Sequence, residues 1–318
     1  MGRIEKELIE SIDIEGKIYL PLENNIGGLV MKSSKLWFGI FVFPILIAFL
    51  IVVIIPMFMG IYYSFTDWNG INNNPSWVGF KNYIEILKKD ESFLDSFKFT
   101  AEFAITSVIT INVIGFGLAL LVTRNSRLNN ILRSIFFMPN LIGGLILGFV
   151  WQFIFTKAFD SIGSKLGLSF LEGWLSTTST GFWGLVILMS WQMSGYMMVI
   201  YIAALQSIPE SLKEAAKIDG ANAWQRLIHI TIPLVAPAFT VGLFLTLSNS
   251  FKLFDQNLSL TNGGPYNSTQ MLALNIYETA FTFNKFGVAQ AKAVIFLITV
   301  AAITLTQIYY SKKKEVEM

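Results

Sequence analysis

The chain has 318 residues, 53% of them hydrophobic and only 14% charged, with a formal net charge of +2. A soluble domain carries about 25% charged residues, so this composition points into the bilayer, and the small net charge argues against a nucleic-acid partner. With no Cys, disulfides, thiolate catalysis and Cys-based metal sites are excluded, and a single His (His229) argues against a His-based metal site or catalytic dyad.

In chain order, residues 1–35 come first. They mix acidic and basic side chains, lack the apolar core of a signal peptide, and carry Lys6 where a myristoylation signal needs Ser or Thr. A membrane-crossing helix needs roughly 20 mostly apolar residues. Such stretches fall at about 36–65, 97–123, 131–155, 182–205, 233–254 and 287–310, which predicts an all-α integral membrane protein of about six transmembrane helices. Pro44, Pro56 and Pro139 lie inside the first and third stretches, where bundled membrane helices tolerate proline. Gly115, Gly117, Gly143 and Gly144 suit close helix–helix packing.

Lysine and arginine set the orientation. Lys32, Lys35, Arg124, Arg127, Arg133, Lys213, Lys217, Arg226 and Lys312 to Lys314 all fall on one face, the face that holds both termini. Both termini and the loop at 206–232 are therefore expected in the cytoplasm. The ionisable residues Glu102, Lys252, Asp255 and Lys292 read as outer-end charges that snorkel or pair rather than bind ligand.

The loop itself, "SIPESLKEAAKIDGANAWQRLIHITIP", reads as two short helices. Ser207 is a candidate cap with Glu210 as its capping-box partner, and Pro209 falls in the first turn. Gly220 offers a left-handed stop. Asn222 is a candidate cap for a second helix that runs to Pro233, and Ala215 and Ala216 offer a flat surface for a partner.

Glu214, Ala215 and Ala216, followed by Gly220, Ile230 and Ile232-Pro233, resemble the EAA loop of ABC importer membrane subunits. Together with "PMFMGIYYSFTDWNG", "WVGFKNY", "LRSIFFMPNLIGG" and "LTNGGPYNST" in that order, the match covers about residues 36–310. It is similar to binding-protein-dependent permeases of the maltose/multiple-sugar branch. Residues 36–310 are then the permease body, 1–35 a cytoplasmic extension and 311–318 a basic tail. The extension, with Ile4, Leu8, Ile9 and Ile12 at near-helical spacing, reads most simply as plain cytoplasmic chain, and otherwise as a brace along the membrane surface or the ATPase.

The resemblance implies a conduit subunit of a bacterial cytoplasmic membrane importer for a neutral sugar or oligosaccharide. Its implied partners are a second, related permease, a dimeric ABC ATPase that binds ATP and Mg, an extracellular sugar-binding lipoprotein, and membrane lipid. Glu214, Ala215, Ala216, Asp219 and Gly220 would couple to the ATPase. Asn140, Gly144, Gln192, Met193, Tyr196, Asn249, Ser250 and Leu253 resemble pore-lining positions of the family. Trp151 and Trp191 are aromatic candidates for a sugar face or, more simply, for packing. The "TNGGPYNS" segment reads as an outer turn or as a contact for the binding protein, and His229 reads as structural.

The sequence holds no GxxxxGK[ST] phosphate loop, so no cofactor is expected in this chain. Permeases for glycerol phosphate or its diesters share the motifs and form the alternative. An ion-coupled secondary transporter would need mid-membrane charges and an internal repeat, and an integral-membrane enzyme a reactive cluster at one membrane face. Neither is evident.

Overall fold

Apolar runs long enough to span a bilayer become helices in the structure, a computed structural model that describes residues 38–313. The chain divides into two units at Gly60. Over its described residues the first unit is helical. Its helix, α1 (Phe38–Tyr63), contains a π-turn at Leu50–Ile54 and continues into the first residues of the second unit.

The second unit carries α2 (Lys81–Lys89), α3 (Glu91–Val122), α4 (Arg127–Phe137), α5 (Gly144–Leu166) and α6 (Thr178–Ser207). It continues with α7 (Glu210–Ile218), α8 (Ala223–Phe251), α9 (Asp255–Leu260), α10 (Leu272–Phe281) and α11 (Phe286–Lys312). No strand occurs among the described residues, only an isolated bridge between Thr66 and Trp77. Six helices (α1, α3, α5, α6, α8 and α11) are long and apolar enough to cross a membrane. The all-helical, six-span expectation holds.

The third and fifth spans differ most from the sequence reading, each for a backbone reason. The third apolar run is not one helix from residue 131. It breaks into α4, a 3-10 turn at Met138–Leu141 and then α5, because Pro139 has no N–H and the backbone is extended at Ile142 and Gly143. The fifth span does not begin at Pro233. It is continuous with the short helix capped by Asn222, so α8 runs from Ala223 through a π-turn at Leu227–Thr231 to Phe251.

Helix α6 lies at the centre of the unit. Of its most apolar stretch 67% is buried, against 33% for α3 and 17% for α5. Lipid tails are as apolar as Leu, so membrane helices associate through close packing rather than through transfer from water. Glycines permit that approach: a Cβ at Gly115 of α3 would sit 2.8 Å from Met197 Cβ, and one at Gly195 of α6 would sit 2.9 Å from the Phe137 nitrogen. Buried polar groups bind the same helices. Asn112 of α3 donates to Thr246 Oγ1 of α8 at 3.0 Å and accepts from the Tyr201 hydroxyl of α6.

The ends of α3 are satisfied by side chains. At its C-terminus the Arg133 guanidinium donates to the carbonyls of Val122 at 2.6 Å and Thr123 at 2.7 Å, groups a helix end leaves without partners. At its N-terminus Asp90 accepts from Phe93 N at 2.9 Å and also pairs with Lys292 of α11 at 2.8 Å. Lys292 is 3% exposed and spends its remaining donors on Asn275 Oδ1 and Thr279 Oγ1 of α10. Lys292 is thus paired, as expected of it. Glu102 sits 4.0 Å from Lys98 on the surface of α3.

Breaking such a pair from one side strands a buried charge and costs about 3–5 kcal/mol, whereas removing both partners costs far less. Asp90→Ala should therefore lower the thermal unfolding midpoint of the purified protein in detergent markedly. Asp90→Ala combined with Lys292→Met should recover most of the loss.

Candidate functional site

The two interruptions of the membrane helices face one another. One is the segment from the 3-10 turn to Gly143; the other is the break at residues 252–254 between α8 and α9. Backbone that leaves the helix at membrane depth must find new partners or line a wet cavity. Gln192 of α6 supplies the link: its Nε2 donates to the carbonyl of Ile142 at 3.2 Å, and its Oε1 accepts from Gln256 Nε2 of α9 at 2.9 Å. One amide thus ties both breaks to the central helix.

Around these breaks lies a cavity of about 320 Å³. Asn140 enters it from the first break. Met189, Gln192, Met193 and Tyr196 enter from α6, a row at helical spacing. Asn249 and Leu253 come from the end of α8 and the second break, together with Lys252, Phe254, Asp255 and Gln256.

Of the pore-lining positions expected from the sequence, Asn140, Gln192, Met193, Tyr196, Asn249 and Leu253 therefore surround one cavity. Gly144 stands behind it, where a Cβ would lie 2.8 Å from Asp255 Cβ and 3.0 Å from the Gln256 side chain. This glycine lets α5 approach the start of α9. Ser250 does not line the cavity. It is fully buried, and its hydroxyl makes no hydrogen bond. Trp151 and Trp191 do not line it either; their rings meet edge to face at 5.6 Å, the packing role.

Lys252 and Asp255, expected to snorkel or pair, are both exposed and line the cavity, and neither side chain has a hydrogen bond or ion pair among the described residues. Reading the fifth span to residue 254 hid them. The helix stops at Phe251, and two opposite charges three residues apart beside a helix end were the signal.

The loop between α6 and α8 forms a second candidate surface. Helix α7 ends in a Schellman motif: Gly220 at φ +82° directs its N–H to Lys217 O at 3.1 Å, and Ala221 N donates to Ala216 O at 2.9 Å. A capping box follows, with Asn222 and Gln225 exchanging side-chain to backbone bonds at 2.8 Å. The turn is therefore rigid. Ser207 does not cap α7; it closes α6 and its hydroxyl donates back to Ala204 O at 2.8 Å. Glu210 pairs instead with Lys213 at 3.1 Å.

On α7, Glu214, Ala215, Asp219 and Gly220 are exposed, but Ala216 is buried against its own chain and is not free to meet a partner. The sequence reading missed Ile218, 86% exposed and one turn on from Glu214, and Trp224, 68% exposed. His229 Nδ1 meets the Gln225 carbonyl at 3.0 Å, a structural position. No group of three or more His, Cys, Asp or Glu among the described residues is placed to hold a metal ion.

Comparison with known proteins gives consistent matches. Residues 111–314 match the family of binding-protein-dependent transport system inner membrane components. The chain is 57% identical over 286 residues to a probable starch degradation products transport system permease, AmyD, of Thermoanaerobacterium thermosulfurigenes, covering 90% of this chain and 97% of that one. It is 33% identical to the multiple sugar-binding transport system permease MsmF of Streptococcus mutans, covering 89% and 98%. The fold is similar to a chain of a bacterial alginate ABC transporter solved with an alginate pentasaccharide-bound periplasmic protein, with a TM-score of 0.77 at 21% identity over 89% of this chain and 96% of that one.

The chain contains no cysteine, so single cysteines report access directly. Asn249→Cys should react with a membrane-impermeant thiol reagent at least about tenfold faster than Ser250→Cys, because thiol reactivity follows exposure. Equal rates would place the cavity elsewhere.

Proposed function

The chain belongs to the binding-protein-dependent transport system inner membrane components, a family of importer permeases, and from that premise we propose that it conducts a neutral gluco-oligosaccharide through an ATP-driven importer. The observation that carries the substrate class is the cavity at the two helix breaks. It offers amides, a tyrosine hydroxyl and one charge of each sign, groups that exchange hydrogen bonds with sugar hydroxyls. The names of the relatives, for starch degradation products and for multiple sugars, support the same reading. Glycerol phosphate is disfavoured, because an anion in this cavity meets Asp255 as well as Lys252.

Residues 36–310 form the permease body, and the loop at 206–232 is its coupling element. The arginines at 3, 124, 127, 133 and 226, all on one side of the spans, support a cytoplasmic position for the termini and that loop by the positive-inside rule. The chain pairs with a second permease, and a separate ATPase dimer binds ATP and Mg and hydrolyses it. An extracellular binding protein delivers the sugar. Glu214 with Ala215 and Ile218, exposed on a helix stopped by a rigid turn at Asp219 and Gly220, forms the ATPase contact. A short capped helix transmits a closing motion without absorbing it.

Reconstituted with its partner subunits, the permease should support uptake of maltotriose into vesicles only with ATP inside and binding protein outside. Uptake driven by an ion gradient without ATP would remove the reading. Reversing the contact charge juxtaposes like charges at a cost of several kcal/mol, so Glu214→Arg should reduce uptake more than about tenfold. Membrane insertion, read by fractionation, should be unchanged.

A further inference from the structure

We propose that Lys252 and Asp255 are specificity-determining residues of the cavity, a two-sided charge filter that holds neutral sugars and rejects both acidic and basic ones. The inference rests on the sugar reading above and names which groups impose neutrality.

The polar side chains that line the cavity fall into two sets. Gln256 donates to Gln192, Gln192 donates to the Ile142 carbonyl, and the Asn249 amide donates to Leu245 O at 2.8 Å. Asn140, Tyr196, Lys252 and Asp255 line the same cavity with no side-chain hydrogen bond among the described residues. Lys252 and Asp255 stand at and just past the end of a span, exposed and facing the cavity, where a charge can stay hydrated. Lys252 and Asp255 do not pair with each other, although three residues separate them. Their valences are therefore open to whatever enters.

A carboxylate only accepts hydrogen bonds and an ammonium only donates them, while a sugar hydroxyl does both. Neighbouring hydroxyls can donate to Asp255 while ring or hydroxyl oxygens accept from Lys252, which satisfies both ions without neutralising either. A uronate meets repulsion at Asp255, and an amino sugar meets it at Lys252. Rejection by like charge is an effective discriminator because it adds a penalty against the wrong ligand. Asp255 is suited to this because its backbone is fixed. Gly144 leaves α5 packed against Asp255 Cβ, and the neighbouring Gln256 is bonded to Gln192. A rigid acceptor discriminates better than a mobile one.

The test uses the purified importer with all its subunits and no binding protein, so that only the permease selects. Binding of three neutral or charged probes, maltotriose, a galacturonate trimer and a glucosamine trimer, is measured by calorimetry for wild type, Asp255→Asn and Lys252→Gln. Assembly of each variant is checked by size-exclusion elution with its partners, and Asp255→Ser and Lys252→Met serve where an amide variant fails to assemble. Wild type should take maltotriose and neither charged trimer. Each substitution should weaken maltotriose binding at least about tenfold, the weight of a hydrogen bond to a charged group. Asp255→Asn should also admit the galacturonate trimer, and Lys252→Gln the glucosamine trimer. Variants that bind maltotriose within about twofold of wild type overturn the filter and leave the sugar reading standing, since a lost charged hydrogen bond costs more than that. A wild type that takes charged trimers as tightly as maltotriose also overturns it. A wild type that binds no neutral sugar overturns the filter, and uptake of maltotriose with binding protein and ATP then decides the sugar reading separately.

Discussion

Within a bilayer every backbone N–H and C=O must be bonded inside the protein, because no water is there to replace a lost partner. The rest of the unit follows from that constraint. A chain that obeyed it everywhere would be a bundle of unbroken helices with no place for a polar solute. This one departs from the helix at residues 138–143 and 252–254, brings the departures together, and joins them through the Gln192 side chain. The cavity is thus the consequence of two breaks that compensate each other. Its polar lining and its location share one cause.

Holding the breaks opposite each other demands close helix contacts. Gly144 and Gly148 of α5 make room for α9: a Cβ at Gly148 would come 2.9 Å from Ser259 Cβ. Gly195 makes the same allowance for the backbone that leads into the first break. Elsewhere a polar set, Asn112, Tyr201 and Thr246, ties α3, α6 and α8 where apolar packing alone has little direction in lipid. Glycine supplies proximity and hydrogen bonds supply register.

Much of this was legible in the sequence. Helix-length apolar runs, the charge asymmetry, the Gly220 stop and the Asn222 cap depend on local chemistry, and each is read from neighbouring residues. The positions resembling a pore lining largely converge, since Asn140, Gln192, Tyr196 and Asn249 face one cavity. What stayed hidden depends on tertiary packing. Pro139 inside an apolar run is compatible with a kinked span or a true break, and the Gln192 bond to the Ile142 carbonyl is a tertiary partner the local sequence does not reveal. Lys252 and Asp255 look like ordinary flanking charges until α8 stops at Phe251. Ala216 looked free because a helix sequence does not say which of two adjacent alanines turns inward.

Helix α8 connects the two surfaces of interest. Its first turn, Ala223 to Arg226, belongs to the rigid loop insert, and its last turn carries Asn249 into the cavity. Between them lie the π-turn at Leu227–Thr231 and Pro237, whose ring removes one helical bond and favours a bend. A helix whose start is held in a capped turn carries a displacement of that turn along its length. Thr246, bonded to Asn112 beyond the bend, holds the far arm to α3. Movement imposed on the insert by an ATPase would then rotate α8 about that attachment and shift Asn249 and the break that follows it. One of the cavity's two breaks is the end of the same helix that begins in the insert, so a displacement of the insert would reach the cavity through α8.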